Sequence, residues 1–247
     1  MTISPGGGGL RAILLDIEGT TTPVAFVTEV LFPYARRVLR SHLHQHGREP
    51  AYQAIIDDLR TEHGLTVPEE AAPSWVDMPY AEQVGSAAAF AEWLMDRDRK
   101  STALKELQGR LWEDGYRRGA LVGDVFPDVR PTLERWRDRG LAVGIFSSGS
   151  VLAQQLLFRH STAGDLTGLL QWYFDTHIGA KSDPQSYRQI AERIAVPPHA
   201  LMFLSDSTRE LDAARDAGLK VRLVLRPGNA PISEPHRHTV IHNLAAV

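Results

Sequence analysis

The chain has 247 residues, 43% hydrophobic and 23% charged, enough apolar material for a large domain or for a core with a smaller companion. Its 27 Lys and Arg against 30 Asp and Glu leave a formal charge of −3, so no global basic field draws it to nucleic acid or to an anionic membrane. It has no cysteine, which excludes disulfides, thiolate catalysis and Cys-ligated metal sites.

Residues 1–9 lack a charged n-region followed by an apolar stretch and close on four glycines, so they are expected to form a flexible tail. No run approaches the roughly 18 uninterrupted apolar residues that span a bilayer. A soluble cytoplasmic protein is the expectation.

The first element is a strand over residues 10–15 that stops abruptly at Asp16-Ile17-Glu18-Gly19-Thr20. Continuous apolar runs of this kind mark strands covered on both faces of a parallel sheet. Residues 24–123 then read as helical, with apolar residues at helical spacing over 28–46, 51–63, 81–99 and 102–118 and a proline-bearing break at 64–79. Trp75, Trp93 and Trp112 in this insertion are read as core anchors or cap–core contacts, and the alternating His42, His44 and His46 as a solvated helix face rather than a zinc site.

From about residue 120 helices and strands alternate. A helix over 128–139 stops at Gly140, and a strand over 141–146 runs into Ser147-Ser148-Gly149-Ser150. Ser150 caps a helix over 151–160, a weaker edge strand covers 173–178, and Asp183-Pro184 opens a helix to about residue 194. A strand over 200–204 leads to Ser205-Asp206-Ser207, and Ser207-Thr208-Arg209-Glu210 has the capping-box pattern of a helix that closes at Gly218. The last strand, 221–225, ends at Arg226-Pro227-Gly228, and the proline-bearing stretch 227–238 reads as loop. Such alternation predicts an α/β fold, a doubly wound, Rossmann-like parallel sheet built from residues 10–23 and 124–247, with a helical cap of residues 24–123 inserted.

Ligands of open α/β sheets bind outside the carboxyl ends of the strands. Those ends carry Asp16 and Glu18, Ser147 and Ser148, Asp206 and the Arg226 turn, with Lys181 just beyond the weaker strand. Acids that suit a hard cation, hydroxyls that donate to phosphoryl oxygens and a lysine that offsets phosphate charge together suit metal-assisted phosphoryl chemistry.

In this order, Asp16-x-Glu18-Gly-Thr20, Ser147, Lys181 and Asp206 resemble the four motifs of the haloacid dehalogenase superfamily. The run from Leu14 to Pro23, then Phe32-Pro33-Tyr34-Ala35 and Ser147-Ser148-Gly149-Ser150, is similar to the enolase-phosphatase branch of methionine salvage. The resemblance implies a core of haloacid dehalogenase type and Asp16 as a nucleophile that forms an aspartyl-phosphate. It implies Mg2+ held by Asp16, the backbone carbonyl of Glu18 and Asp206, and Glu18 as general acid and then base. Ser147 and Ser148 would contact substrate, and Lys181 would neutralise both the aspartyl group and the phosphate. The implied substrate is the small phosphate ester 2,3-diketo-5-methylthiopentyl-1-phosphate, enolised and then dephosphorylated to the acireductone. The sequence does not identify the enolisation base, for which Glu18 is preferred because it stands beside the metal. Another magnesium-dependent phosphatase of small molecules is the alternative. A closing cap is compatible with a monomer.

Overall fold

A computed structural model describes residues 9–232 and 236–247. The expected glycine tail therefore lies almost wholly outside the described residues, as does part of the 227–238 loop. The chain divides into two compact units, Met1–Val27 with Val122–Val247, and Thr28–Leu121.

The first strand, β1 (Ala12–Leu15), is buried throughout. The inserted unit begins inside a π-helical stretch, Phe26–Leu31, and continues as α1 (Phe32–His46), α2 (Pro50–Gly64), α3 (Tyr80–Asp96) and α4 (Thr102–Arg117). Its first and second α-helices each pack against its third and fourth. The apolar stripes meet in a core where Leu39, Leu43, Ile55, Leu59, Ala87, Leu107 and Leu111 are fully buried. Ser101 caps α4 by accepting from the backbone N–H of Leu104 (2.9 Å).

Of the three tryptophans, Trp93 and Trp112 are buried, and Trp112 Nε1 donates to the Leu31 carbonyl (2.9 Å). Trp75 is only half-buried and donates to Asp77 Oδ1 (3.0 Å), so it is a rim residue. The histidine face also needs correction. His42 is buried, with Nε2 2.6 Å from the Tyr52 hydroxyl and its ring packed on His46, so only His44 is exposed as expected.

The core unit resumes with α5 (Val129–Asp138), β2 (Ala142–Phe146), α6 (Val151–Arg159) and β3 (Trp172–Phe174). It continues with α7 (Pro184–Arg193), β4 (Leu201–Ser205), α8 (Thr208–Asp216), β5 (Lys220–Val224) and β6 (Val240–Ile241). These strands form one parallel sheet in the order β3-β2-β1-β4-β5-β6. The chain builds outward from β1 on one side, then crosses to β4 and builds outward on the other. That reversal puts the topological switch point at the carboxyl end of β1. Leu15 pairs in register with Ile145 on one side and Leu204 on the other, so Asp16 leaves the sheet between the ends of β2 and β4.

Two details differ from the sequence reading. The strand expected over 173–178 ends at Phe174, because Asp175 turns the chain into a 3-10 helix, Thr176–Ile178, by accepting from the His177 N–H (2.9 Å). The short β6, which pairs with β5 beyond the loop, has too few residues for any apolar periodicity to register.

No helix among the described residues is long and apolar enough to cross a membrane. Burial on both faces makes the central strand costly to erode. Leu14→Ala, at a residue 1% exposed, is expected to lower stability by about 2–5 kcal/mol. Leu65→Ala, at a residue 80% exposed, should change it by less than about 0.5 kcal/mol; urea unfolding measures both.

Candidate active site

Asp16 is buried at the end of β1 and held at both carboxylate oxygens. Oδ1 accepts from the backbone N–H of Ile17 (2.8 Å) and pairs with Lys181 Nζ (2.7 Å), while Oδ2 accepts from Ser205 Oγ (3.0 Å). Such a carboxylate is fixed in orientation before any ligand arrives.

The turn that follows is bound to itself. The Ile17 carbonyl accepts from the N–H groups of Thr20, Thr21 and Thr22 at 3.1, 2.9 and 2.9 Å, and Gly19 N–H donates to the Thr22 carbonyl (2.8 Å). Gly19 sits at φ +67°, and a Cβ there would lie 2.1 Å from Asp206 Oδ2. Only glycine therefore lets the turn that carries Glu18 come this close to Asp206.

Lys181 reaches Asp16 from two strands away because its loop is tied to α7. Tyr187 Oη donates to the Lys181 carbonyl (2.7 Å) and Ser186 Oγ to the Ala180 carbonyl (2.8 Å). Tyr187 is itself fully buried, its ring 5.4 Å from that of Phe146 and 5.2 Å from that of Phe203. Gly179 (φ +131°) passes so close to Ser186 that a Cβ would lie 2.3 Å from its Oγ.

Lys181 Nζ also pairs with Glu210 Oε2 (2.7 Å), whose carboxylate is 3.0 Å from Ser205 Oγ. Glu210 is the residue that the sequence reading missed as a site group. Its backbone N–H does donate to Ser207 Oγ (3.4 Å), as a capping box requires, but the Ser207 N–H goes to Ser205 Oγ (3.1 Å) and the Glu210 carboxylate goes to Lys181. The available signal was an acid one helical turn after Asp206, which the cap pattern explained away.

Ser147 is buried where β2 ends, beside Asp16. Its N–H donates to the Phe174 carbonyl (3.1 Å), and its Oγ accepts from the Gly149 N–H (3.2 Å). Ser148 is exposed on the same turn, ahead of the α6 N-terminus capped by Ser150. Arg226, grouped by sequence with this edge, is turned inward. It forms a two-oxygen pair with Asp128 (3.0 Å to each), donates to the Thr20 carbonyl (3.0 Å) and covers the Phe126 ring. Lys181 is therefore the cation that meets the site carboxylates.

The electrostatics follow from one ammonium among several acids. Burial, then Asp16, pushes the Glu18 carboxyl above its ordinary range, against the pull of Lys181. The same two causes raise Asp206 to about 7 and also raise Glu210. Burial opposes the charge on Lys181, but Asp16 and Glu210 outweigh it, so its pKa rises.

The sequence pattern that defines the haloacid dehalogenase-like hydrolases matches residues 10–218. The chain belongs to that family. Among its relatives, the enolase-phosphatase E1 of Synechococcus elongatus is 48% identical over 234 residues, 95% of this chain and 96% of the relative. The enolase-phosphatase E1 of Danio rerio is 45% identical, over 92% of this chain and 89% of the relative. The crystal structure of the UTR4 protein of Saccharomyces cerevisiae superposes with a TM-score of 0.77 at 33% identity, covering 95% of this chain and 98% of that one.

The surplus of buried carboxylate in this hydrolase suits a divalent cation. Among the described residues no three His, Asp or Glu side chains cluster closely enough to hold a metal by themselves. Mg2+ asks for less than that, since it keeps several waters and takes one or two carboxylates. Asp16, Asp206 and the Glu18 carbonyl would supply such a set, and the Asp206 carboxylate, lifted by burial and by Asp16, is one that a cation would relieve.

The charge balance fixes the sign of two substitutions. Lys181→Met leaves Asp16 and Glu210 without their shared counter-ion and is expected to lower stability by about 3 kcal/mol or more. Glu18→Gln removes part of the negative surplus and should leave stability unchanged or raise it by up to about 1 kcal/mol. Urea unfolding in EDTA measures both without a cation.

Proposed function

We propose that the protein is an enolase-phosphatase that converts 2,3-diketo-5-methylthiopentyl-1-phosphate to the acireductone 1,2-dihydroxy-3-keto-5-methylthiopentene in methionine salvage. The observation that carries this reading is Asp16, fixed at a sheet switch point by Lys181 and Ser205, in a chain nearly half identical to enolase-phosphatase E1 proteins over almost its whole length.

In this reading Asp16 attacks the phosphorus in line. A P–O bond to Asp16 forms as the P–O bond to the substrate breaks. Glu18, whose pKa is raised by burial and by Asp16, gives its proton to the departing oxygen. As a carboxylate it then takes a proton from the water that attacks the aspartyl-phosphate, which frees inorganic phosphate and restores Asp16. Lys181 and the hydroxyl of Ser147 offset charge on the phosphoryl oxygens, and Ser148, at the rim of the same turn, contacts the substrate. Enolisation precedes this transfer, with Glu18 as the base that moves the carbon-bound proton.

Mg2+ is the proposed cofactor, held by Asp16, Asp206 and the Glu18 carbonyl. When bound it supplies Lewis-acid stabilisation of the phosphoryl and enolate oxygens. The core of residues 10–23 and 124–247 is the catalytic domain, and residues 24–123 are the cap that selects the substrate. Zero cysteines fit the reducing cytoplasm, where the protein is proposed to work on a small phosphate ester, without nucleic acid, as a monomer.

Absorbance of the enol intermediate and of the acireductone, followed alongside phosphate release, tests the reading. Both signals are expected with the diketo phosphate and Mg2+, neither in EDTA, and both again once Mg2+ is restored. Phosphate release without an enol signal would leave a phosphatase and remove the enolase. Asp16→Asn should lower kcat for phosphate release by about 1000-fold or more, since the amide cannot form the aspartyl-phosphate.

A further inference from the structure

The turn after β5 lies beyond the matched family pattern, yet it grips the backbone that carries Glu18. Arg226 Nε holds the Thr20 carbonyl (3.0 Å), and Asn229 Nδ2 holds the Gly19 carbonyl (3.0 Å) and reaches the Val224 carbonyl (3.4 Å). Two carbonyl partners fix which end of the Asn229 amide is nitrogen, and so fix where its oxygen points. That oxygen, Oδ1, is buried and has no hydrogen-bond partner. A Cβ built on Gly19 would lie 3.0 Å from Asn229 Oδ1 and 2.1 Å from Asp206 Oδ2, so both oxygens converge on one point beside the turn.

A buried acceptor without a donor carries a desolvation cost of about 1–3 kcal/mol. A turn of this kind retains such an acceptor when a donor arrives with a ligand. The neighbour that shares this point is the Asp206 carboxyl, which as a carboxylate donates nothing, and water bound to a divalent cation is a strong donor. We propose that Asn229 is a positioning residue for the cation, its Oδ1 accepting a hydrogen bond from a water on Mg2+ bound at Asp16 and Asp206. The inference rests on the cation reading of the site.

Isothermal titration calorimetry of the full chain with Mg2+ alone, without substrate, separates the two. If the wild-type protein takes up no Mg2+, the cation reading fails and this inference with it. If the wild type binds, Asn229→Ala is expected to bind Mg2+ about 10–100-fold more weakly, the usual cost of a lost supporting group at a metal site. Asn229→Asp loses the Nδ2 bonds to the Gly19 and Val224 carbonyls but keeps an acceptor oxygen and adds negative charge beside the cation, so it should bind no more weakly than wild type. Affinity of Asn229→Ala within twofold of wild type would overturn the proposal while leaving the cation reading intact. So would an equal loss in Asn229→Asp, because the amide nitrogen rather than the oxygen would then matter. Circular dichroism on each variant confirms folding, and if the alanine variant does not fold, Asn229→Asp alone still decides by whether Mg2+ affinity is kept.

Discussion

The ion pair between Lys181 and Asp16, shared with Glu210, is the constraint on which the site depends. Burial alone would lower the pKa of the ammonium, and two carboxylates at 2.7 Å outweigh that effect. The geometry cannot be loose, because a misplaced lysine would leave Asp16 and Glu210 both uncompensated. The fold meets this demand through packing. Tyr187 fills the core between Phe146 and Phe203, and the hydroxyl at its far end fixes the Lys181 carbonyl. Core cohesion is thus converted directly into the position of a charge.

The same logic explains the glycines that matter. Gly19 and Gly179 stand where two backbone segments approach too closely for a side chain, one beside Asp206 and the other beside Ser186. Gly19 lets the turn that carries Glu18 approach Asp206, and Gly179 lets the loop that carries Lys181 pass against Ser186.

Most of the sheet was legible because its signal is local. An apolar run that ends in a polar residue marks a buried strand and its functional end together, which is why Asp16, Ser147 and Asp206 could be read directly. Lys181 has no such mark and was placed at this edge by its position just beyond the weaker strand, with the family resemblance adding its role, since its contact with Asp16 spans two strands. Glu210 was hidden because one residue satisfies two patterns, and the helix cap was the nearer explanation. Tyr187 and Asn229 act through backbone carbonyls, which every residue possesses and no sequence displays. His42 misled for a related reason: its partner Tyr52 lies on the next helix, and histidines two apart in sequence say nothing about which of them faces a core.

Arg226 shows how the charge at this edge is rationed. A second cation beside Asp16 would relieve the acidic surplus, yet Arg226 is held by Asp128 and by backbone carbonyls. Asp128 in turn accepts from the Leu244 N–H (2.6 Å), so the segment around β6 anchors the pair that anchors the Glu18 turn. With Arg226 committed to structure, Lys181 is, among the described residues, the cation paired with Asp16 and Glu210, and a phosphate ester would add further negative charge. Such an imbalance is relieved by proton uptake, towards which the raised pKa values of Glu18, Asp206 and Glu210 point, or by a bound cation. Under the proposed function the surplus would order events at the site, with a cation preceding or accompanying the phosphate ester.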